Sequence, residues 1–159
     1  MERGSMKINH GVIPAYWSHA ASSILPALKQ LGLQMSEQLP GNSDCRECLM
    51  FCHPNYESAL NGSLLIRQAL AGRCAVLMRE SDSHPVLEEI EKTGDISQAT
   101  RDRLEAYALF CCLQSDSKRL AALQAGAIGL PLYAAEVYEK VQDLRYGENW
   151  HQRAALYSK

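Results

Sequence analysis

The chain has 159 residues, of which 47% are hydrophobic and 21% are charged, and its formal net charge is −2. This length is typical of one domain with a core of its own. The near-neutral charge gives no reason to expect a polyanion or an anionic membrane as the main partner. No apolar run approaches the roughly 20 residues that span a bilayer. The sequence therefore predicts a globular protein without direct nucleic acid or membrane contact.

The first half of the chain alternates between apolar runs and helical patterns. Gly11–Ser18 is a short apolar run that suits a first strand. Leucine spacing predicts a helix over Ser22–Gly32, with serine as its N-cap. Gln38–Arg46 is rich in turn residues and is predicted to be a loop. The compact apolar run Glu47–His53 then indicates a buried strand.

The alternation continues through the middle of the chain. Ser58–Ala71 has helical periodicity, and the run Cys74–Met78 predicts another buried strand. Ser81–His84 is predicted to be a polar loop before a helix that starts at Pro85. A further helix is expected over Ser97–Tyr107.

The last third repeats the pattern. Ala108–Leu113 is a third buried run, and a helix is predicted over Ser117–Ala125. A short strand over Ile128–Tyr133 and a helix over Ala134–Arg145 follow. Continuous apolar strands that alternate with helices indicate strands covered on both faces. The predicted fold class is α/β, a doubly wound five-stranded parallel sheet with helices on both faces.

Domain boundaries are predicted from the ends of this pattern. Residues 1–5 precede a second methionine and are interpreted as a vector remnant. Residues 6–145 are expected to form the folded domain. Residues 146–159 are interpreted as a tail that is an extra helix or the start of a linker.

The order and spacing of elements over residues 11–145 resemble a receiver domain of two-component signalling, which has a flavodoxin-like fold. The most specific part is residues 119–141, RLAALQAGAIGLPLYAAEVYEKV. There Gly126 and Ala127 match the family's Gly-Ala turn, and Gly129 matches its following glycine. The resemblance implies a regulatory module of signal transduction.

The resemblance also implies a switch site, with an acid pair for Mg²⁺, a phospho-acceptor, a hydroxyl and a lysine. Most of these groups are missing here, so the chain resembles a pseudo-receiver that does not take up phosphate. We therefore expect a non-catalytic protein without a cofactor. The degenerate switch positions are Ser18 and His19 for the acid pair, Glu80 and Asp82 near the acceptor, Ser115 for the hydroxyl and Tyr133 for the lysine.

Modules of this kind act through protein contacts, so the resemblance implies a protein partner, self-association or an output domain elsewhere. The candidate interaction face is Leu132, Tyr133, Val137 and Tyr138. An equally good interpretation is that Val137 packs in the core and that the tyrosines are scattered over the surface.

A metal or redox sensor is a further hypothesis. Cys45, Cys48, Cys52 and His53 form a C-x₂-C-x₃-C-H pattern of zinc-ligand types. Adjacent residues in a strand point to opposite faces, which disfavours joint use of Cys52 and His53. The simpler interpretation is a pair of loop thiols followed by a buried cysteine. A chain of this length does not need disulfides, so a reducing cytoplasm is expected.

The second hypothesis is a small-molecule-binding protein or an enzyme. Ligands of α/β proteins bind at the carboxyl ends of the strands. His19, Asp82, His84 and Ser115 are predicted to lie at that edge. A hydrolytic triad of these types is not supported by any G-x-S-x-G motif.

Overall fold

A computed structural model of the chain describes six stretches: residues 7–14, 24–41, 45–52, 62–126, 129–144 and 153–159. The chain divides into two compact units, Met1–Cys112 and Leu113–Lys159. The predicted vector remnant, residues 1–5, lies outside the described residues.

The first unit contains a four-stranded parallel sheet in the order β2-β1-β3-β4. Its strands are β1 (His10–Val12), β2 (Gln34–Ser36), β3 (Cys48–Phe51) and β4 (Ala75–Leu77). Its helices are α1 (Leu25–Gln30), α2 (Gly62–Ala71), α3 (Glu80–Thr93) and the first half of α4 (Gln98–Gln124).

Strand β3 lies in the middle of this sheet, and all four of its residues are buried. Its side chains alternate between two core clusters, because successive strand residues point to opposite faces. Cys48 and Met50 pack in a first cluster with residues of α2 and α4. Leu49 and Phe51 pack in a second cluster with residues of α1, α3 and α4. The sheet is therefore covered by helices, as the continuous apolar runs predict.

The prediction of an α/β fold with a parallel sheet flanked by helices is confirmed, but the five-stranded arrangement is not. Strand β2 was missed because Gln34–Ser36 is only three residues long and none of them is fully buried. A short edge strand of this kind has no apolar run to reveal it. The predicted loop Ser81–His84 is also wrong, since these residues lie in the first turns of α3.

The strand predicted over Ala108–Leu113 is wrong, because these residues belong to the 27-residue helix α4. The buried positions of the helix are Leu104, Ala108, Cys111 and Cys112, which recur at helical spacing. Leu109 and Leu113 are exposed on the opposite side. No glycine or proline occurs between residues 97 and 125, and this was the signal for one long helix.

The second unit begins within α4 and ends in an antiparallel pair, β5 (Glu139–Leu144) and β6 (Ala154–Ser158). The helix predicted over Ala134–Arg145 is therefore wrong, and the described end of the tail is a strand. The described residues of the strand predicted over Ile128–Tyr133 are in no strand. Among the described residues, no helix combines the length and the apolar character needed to cross a membrane.

Replacing Leu104 by alanine tests the position of α4 in the core. Leu104 is 2% exposed, whereas Leu109 on the other side of the helix is 40% exposed. We expect Leu104→Ala to lower the free energy of unfolding by ~2–5 kcal/mol, since it opens a cavity. Urea denaturation followed by circular dichroism measures this loss.

The matched control is Leu109→Ala, which should cost less than ~1 kcal/mol because its side chain is already half in solvent. Equal losses for the two variants would contradict the helix and favour a strand buried on both faces.

Candidate functional site

The carboxyl edge of the sheet carries a stacked pair of side chains. Arg79 lies two residues after the end of β4, and its guanidinium carbon lies 3.4 Å from the centroid of the Tyr107 ring. Tyr107 reaches this edge because helix α4 runs alongside the sheet. The Tyr107 ring also stacks with the ring of Phe110, and their centroids are 6.0 Å apart. A cation held on an aromatic face is favourable, and the contact restricts where the guanidinium lies.

Burial raises the pKa of the Tyr107 hydroxyl, and the hydrogen bond with Arg79 opposes this only in part. The hydroxyl is therefore neutral at physiological pH. The Arg79 guanidinium carbon lies over the ring face, and an arginine side chain has five N–H donors in a planar group. This geometry suits a planar donor for carboxylate or phosphate oxygens.

An ion pair lies beside the stacked pair. Asp82, in the first turn of α3, is 7% exposed, and its carboxylate accepts a hydrogen bond from Arg103 of α4. The backbone N–H of Asp82 donates to the carbonyl oxygen of Arg79 at 3.1 Å. The pair therefore joins the start of α3 to α4 next to Arg79. Asp82 has a structural role, since its carboxylate binds Arg103.

The remaining residues predicted at this edge are less suited to chemistry. Ser18 and His19 lie outside the described residues. Glu80 is the first residue of α3 and is exposed. The side chain of His84 is 90% exposed and lies 3.9 Å from Glu88 on the same helix.

Two further predicted positions belong to the second unit. Ser115 follows no strand and lies inside α4, so its predicted place after a fourth strand is wrong. Tyr133 follows no strand among the described residues. Its backbone N–H donates to Oε1 of Gln124 at 3.1 Å, and its carbonyl accepts from Nε2 of Gln124 at 2.8 Å.

The predicted interaction face also lies in the second unit. Leu132, Tyr133 and Tyr138 are exposed, and Val137 is half-buried. Val137 and Tyr138 line an open apolar groove of about 820 Å³ with Leu113, Leu120 and Tyr157. The binding of a partner there stays a prediction.

The six cysteines are buried, and none of them forms a disulfide. Burial raises the pKa of the Cys74 thiol, with smaller contributions from Cys48 and Cys45, and it raises the pKa of the Cys52 thiol, with smaller contributions from Cys111 and Cys112. Cys48 and Cys52 lie four residues apart along an extended strand, which separates them by ~13 Å. They are too far apart to share one zinc ion, whose bonds to sulfur are ~2.3 Å long. His53 lies outside the described residues, and the described ones hold no cluster suited to a metal ion.

Comparison with known proteins gives this α/β chain its family. The model of the AICARFT/IMPCHase bienzyme family matches residues 71–159, more than half of the chain. The chain belongs to this family. The match begins at the end of α2 and includes β4, Arg79, α3 and α4.

Individual relatives agree with this assignment. The bifunctional purine biosynthesis protein PurH of Thermoanaerobacter sp. (strain X514) is 38% identical over 101 residues, which are 62% of this chain and 20% of that protein. PurH of Ruminiclostridium cellulolyticum is 38% identical over 86 residues, 52% of this chain and 16% of that protein. PurH of Acetivibrio thermocellus is 36% identical over 103 residues, 62% of this chain and 20% of that protein. The chain spans about a fifth of the length of these relatives.

The receiver resemblance is therefore wrong, and with it the prediction of a non-catalytic signalling or transcription-regulating module. The matched family and its relatives are enzymes of purine biosynthesis. Arg79 and Tyr107 were missed as a pair because 28 residues separate them in the sequence. The available signal was an arginine immediately after a buried strand, where α/β proteins bind ligands.

The Asp82–Arg103 pair predicts a loss of stability on truncation. Arg103→Ala leaves a mostly buried carboxylate without its donor, and we expect a loss of ~1–3 kcal/mol in the free energy of unfolding, measured in urea. Arg119→Ala, on an exposed stretch of α4, is the control and should change stability by less than ~0.5 kcal/mol. Equal stability of Arg103→Ala and wild type would show that the pair contributes nothing.

The buried thiols predict a loss of stability at alkaline pH. Burial raises the pKa of the Cys52 and Cys74 thiols far above their ordinary value of 9.0. The folded protein keeps both thiols neutral, whereas the unfolded chain ionises them above that pH. Their contribution to stability is complete below pH 9.0 and is lost as pH rises towards the folded pKa.

Urea denaturation at a series of pH values measures this dependence. Each thiol contributes a decline of up to ~1.4 kcal/mol per pH unit above its unfolded pKa. The variant with both Cys52→Ala and Cys74→Ala should show a shallower decline than wild type. Parallel curves for the two proteins above that pH would rule out the buried thiols as its cause.

Proposed function

We propose that this chain is part of an enzyme of purine biosynthesis and that it binds a phosphate-bearing purine nucleotide at the carboxyl edge of its sheet. The observation that carries the proposal is the position of Arg79. This arginine follows β4, stacks on Tyr107 and lies within the segment matched by the bienzyme family. The first unit supplies the scaffold, and Arg79 supplies the anion-binding donor.

The choice of ligand follows from chemistry and from the family. A guanidinium binds phosphate oxygens in pairs and with high strength, and phosphate is the anionic group of every purine nucleotide. The two activities in the family's name are AICAR transformylase and IMP cyclohydrolase. IMP is therefore the natural first ligand to test.

We also propose a cytoplasmic location. None of the six cysteines forms a disulfide, which suits a reducing compartment.

Isothermal titration calorimetry with IMP tests the nucleotide site. We expect wild type to bind IMP and Arg79→Ala to bind it at least ~10-fold more weakly, since one charge-assisted hydrogen bond contributes ~1.5–3 kcal/mol. Arg79→Lys keeps the charge but loses the planar fork, so its affinity should fall between the two.

Two controls make the result specific. Arg119→Ala removes an arginine from the second unit and should bind IMP like wild type. Inosine lacks the phosphate, so its binding should not respond to Arg79→Ala. Unchanged IMP affinity in a folded Arg79→Ala variant, or no binding of IMP to wild type, would reject the proposal.

A further inference from the structure

The amino edge of the sheet, opposite Arg79, contains a polar cavity of about 490 Å³. The parallel strands all start at this edge. Arg46 lies there two residues before β3, and Arg73 lies there two residues before β4. Helix α4 adds a third arginine from its first turns. The polar residues that line this amino-edge cavity are Arg46, Arg73, Arg101, Asp95, Gln98 and Glu105.

Arg101 is fixed by two of its three side-chain nitrogens. Its Nη2 donates to Oδ1 of Asp95 at 2.8 Å, and its Nε donates to the carbonyl oxygen of Ile96 at 3.3 Å. Its Nη1 is buried and has no hydrogen-bond partner among the described residues. A buried donor without an acceptor costs free energy. An acceptor oxygen near Nη1 would therefore stabilise the folded protein, and the described residues do not supply one.

Arg73 lies in a backbone conformation that favours glycine, with a φ angle of 61°. The end of α2 explains this. The N–H of Cys74 donates to the carbonyl of Ala69, and the N–H of Arg73 to that of Leu70. These two bonds form a Schellman motif, in which the residue at the position of Arg73 is usually glycine.

The preceding residue, Gly72, does not relieve this strain. A Cβ atom on Gly72 would lie 3.1 Å from Sγ of Cys45, so this glycine permits close packing rather than the left-handed turn. The chain therefore holds an arginine on the wall of the cavity at an energetic cost. Strained residues of this kind are concentrated at functional sites.

The charges around the cavity favour an anion. Asp95 forms an ion pair with Arg101, and its Oδ1 accepts hydrogen bonds from Arg101 and from the N–H of Ile96 at 2.7 Å. Glu105 is exposed. Helix α4 begins at Gln98, and the positive end of its dipole adds to the three guanidinium groups.

We propose that the amino-edge cavity binds a phosphate group, with Arg46, Arg73 and Arg101 as its donors. This site is separate from the proposed nucleotide site, because the two lie at opposite edges of the same sheet. Its occupant is inorganic phosphate or the phosphate of an ester. Both present tetrahedral oxygens that accept hydrogen bonds from guanidinium groups.

Nuclear magnetic resonance of the arginine Nε–H groups tests this site. The probe is inorganic phosphate, titrated at constant ionic strength into the full chain. We expect a saturable shift of the Arg101 signal. Arg46→Ala and Arg73→Gly should each weaken phosphate binding ~10-fold, the effect of losing one charge-assisted hydrogen bond.

Arg73→Gly is the sharpest variant, because glycine adopts the left-handed conformation without strain. It should remove a donor while the melting temperature stays equal to or above that of wild type. Arg119→Ala is the matched control and should bind inorganic phosphate like wild type, since Arg119 lies in the second unit. Inosine monophosphate titrated into Arg79→Ala then shows whether the cavity also accepts a phosphate ester.

The outcomes separate this site from the proposed nucleotide site. A weaker phosphate-dependent shift of the Arg101 signal in Arg46→Ala and Arg73→Gly, with no loss in Arg119→Ala, supports the cavity even if IMP does not bind at Arg79. No saturable shift of Arg101, or full affinity in the combined Arg46→Ala and Arg73→Gly variant, would overturn the proposal.

Discussion

The first unit depends on the complete burial of strand β3. Its four side chains point alternately into two apolar clusters, and burying a large apolar side chain contributes ~1.5–3 kcal/mol. A shift of one residue would exchange the two faces and place every side chain in the wrong cluster. The parallel pairing of β3 with β1 and β4 is therefore fixed. With that pairing fixed, the four parallel strands of this sheet all start at one edge and end at the other.

The two edges differ in chemistry because α4 runs along the sheet. Arg101 lies near its start and Tyr107 six residues later, ~9 Å further along the helix axis. This rise is close to the length of β4. One helix thus contributes to the amino-edge cavity at Arg101 and to the stack with Arg79 at Tyr107. The buried residue Leu104 lies between them, Ala108 follows Tyr107 directly, and both pack the helix against the sheet. Packing of α4 therefore controls the geometry of both edges.

The sequence predicts those elements whose signals are local. The strands around Met50 and Val76 are apolar runs, and their burial follows directly from their composition. The predictions fail where structure depends on distant residues. Val141 and Leu144 have helical spacing, yet they lie in a strand that pairs with residues 154–158. The run at Cys111 and Cys112 is apolar enough for a strand. It is helical because it continues the helical spacing of the earlier buried residues Leu104 and Ala108. The stacked pair and the cavity arise from residues far apart in the chain, so only the fold brings them together.

The receiver resemblance shows how a shared layout differs from a shared function. The strand order β2-β1-β3-β4 equals the first four positions of the flavodoxin-like order 2-1-3-4-5, so the alternation of elements is consistent with several α/β families. Fold-level likeness of this kind does not determine function. The missing acid pair matters only within the receiver alignment, and since the chain belongs to another family it carries no information on this chain's chemistry. Arginines at both edges of the sheet are informative because they are present. A guanidinium that is fixed by stacking on an aromatic ring, or by an ion pair with a carboxylate, is preorganised for oxyanions, and phosphate is the oxyanion that purine nucleotides share.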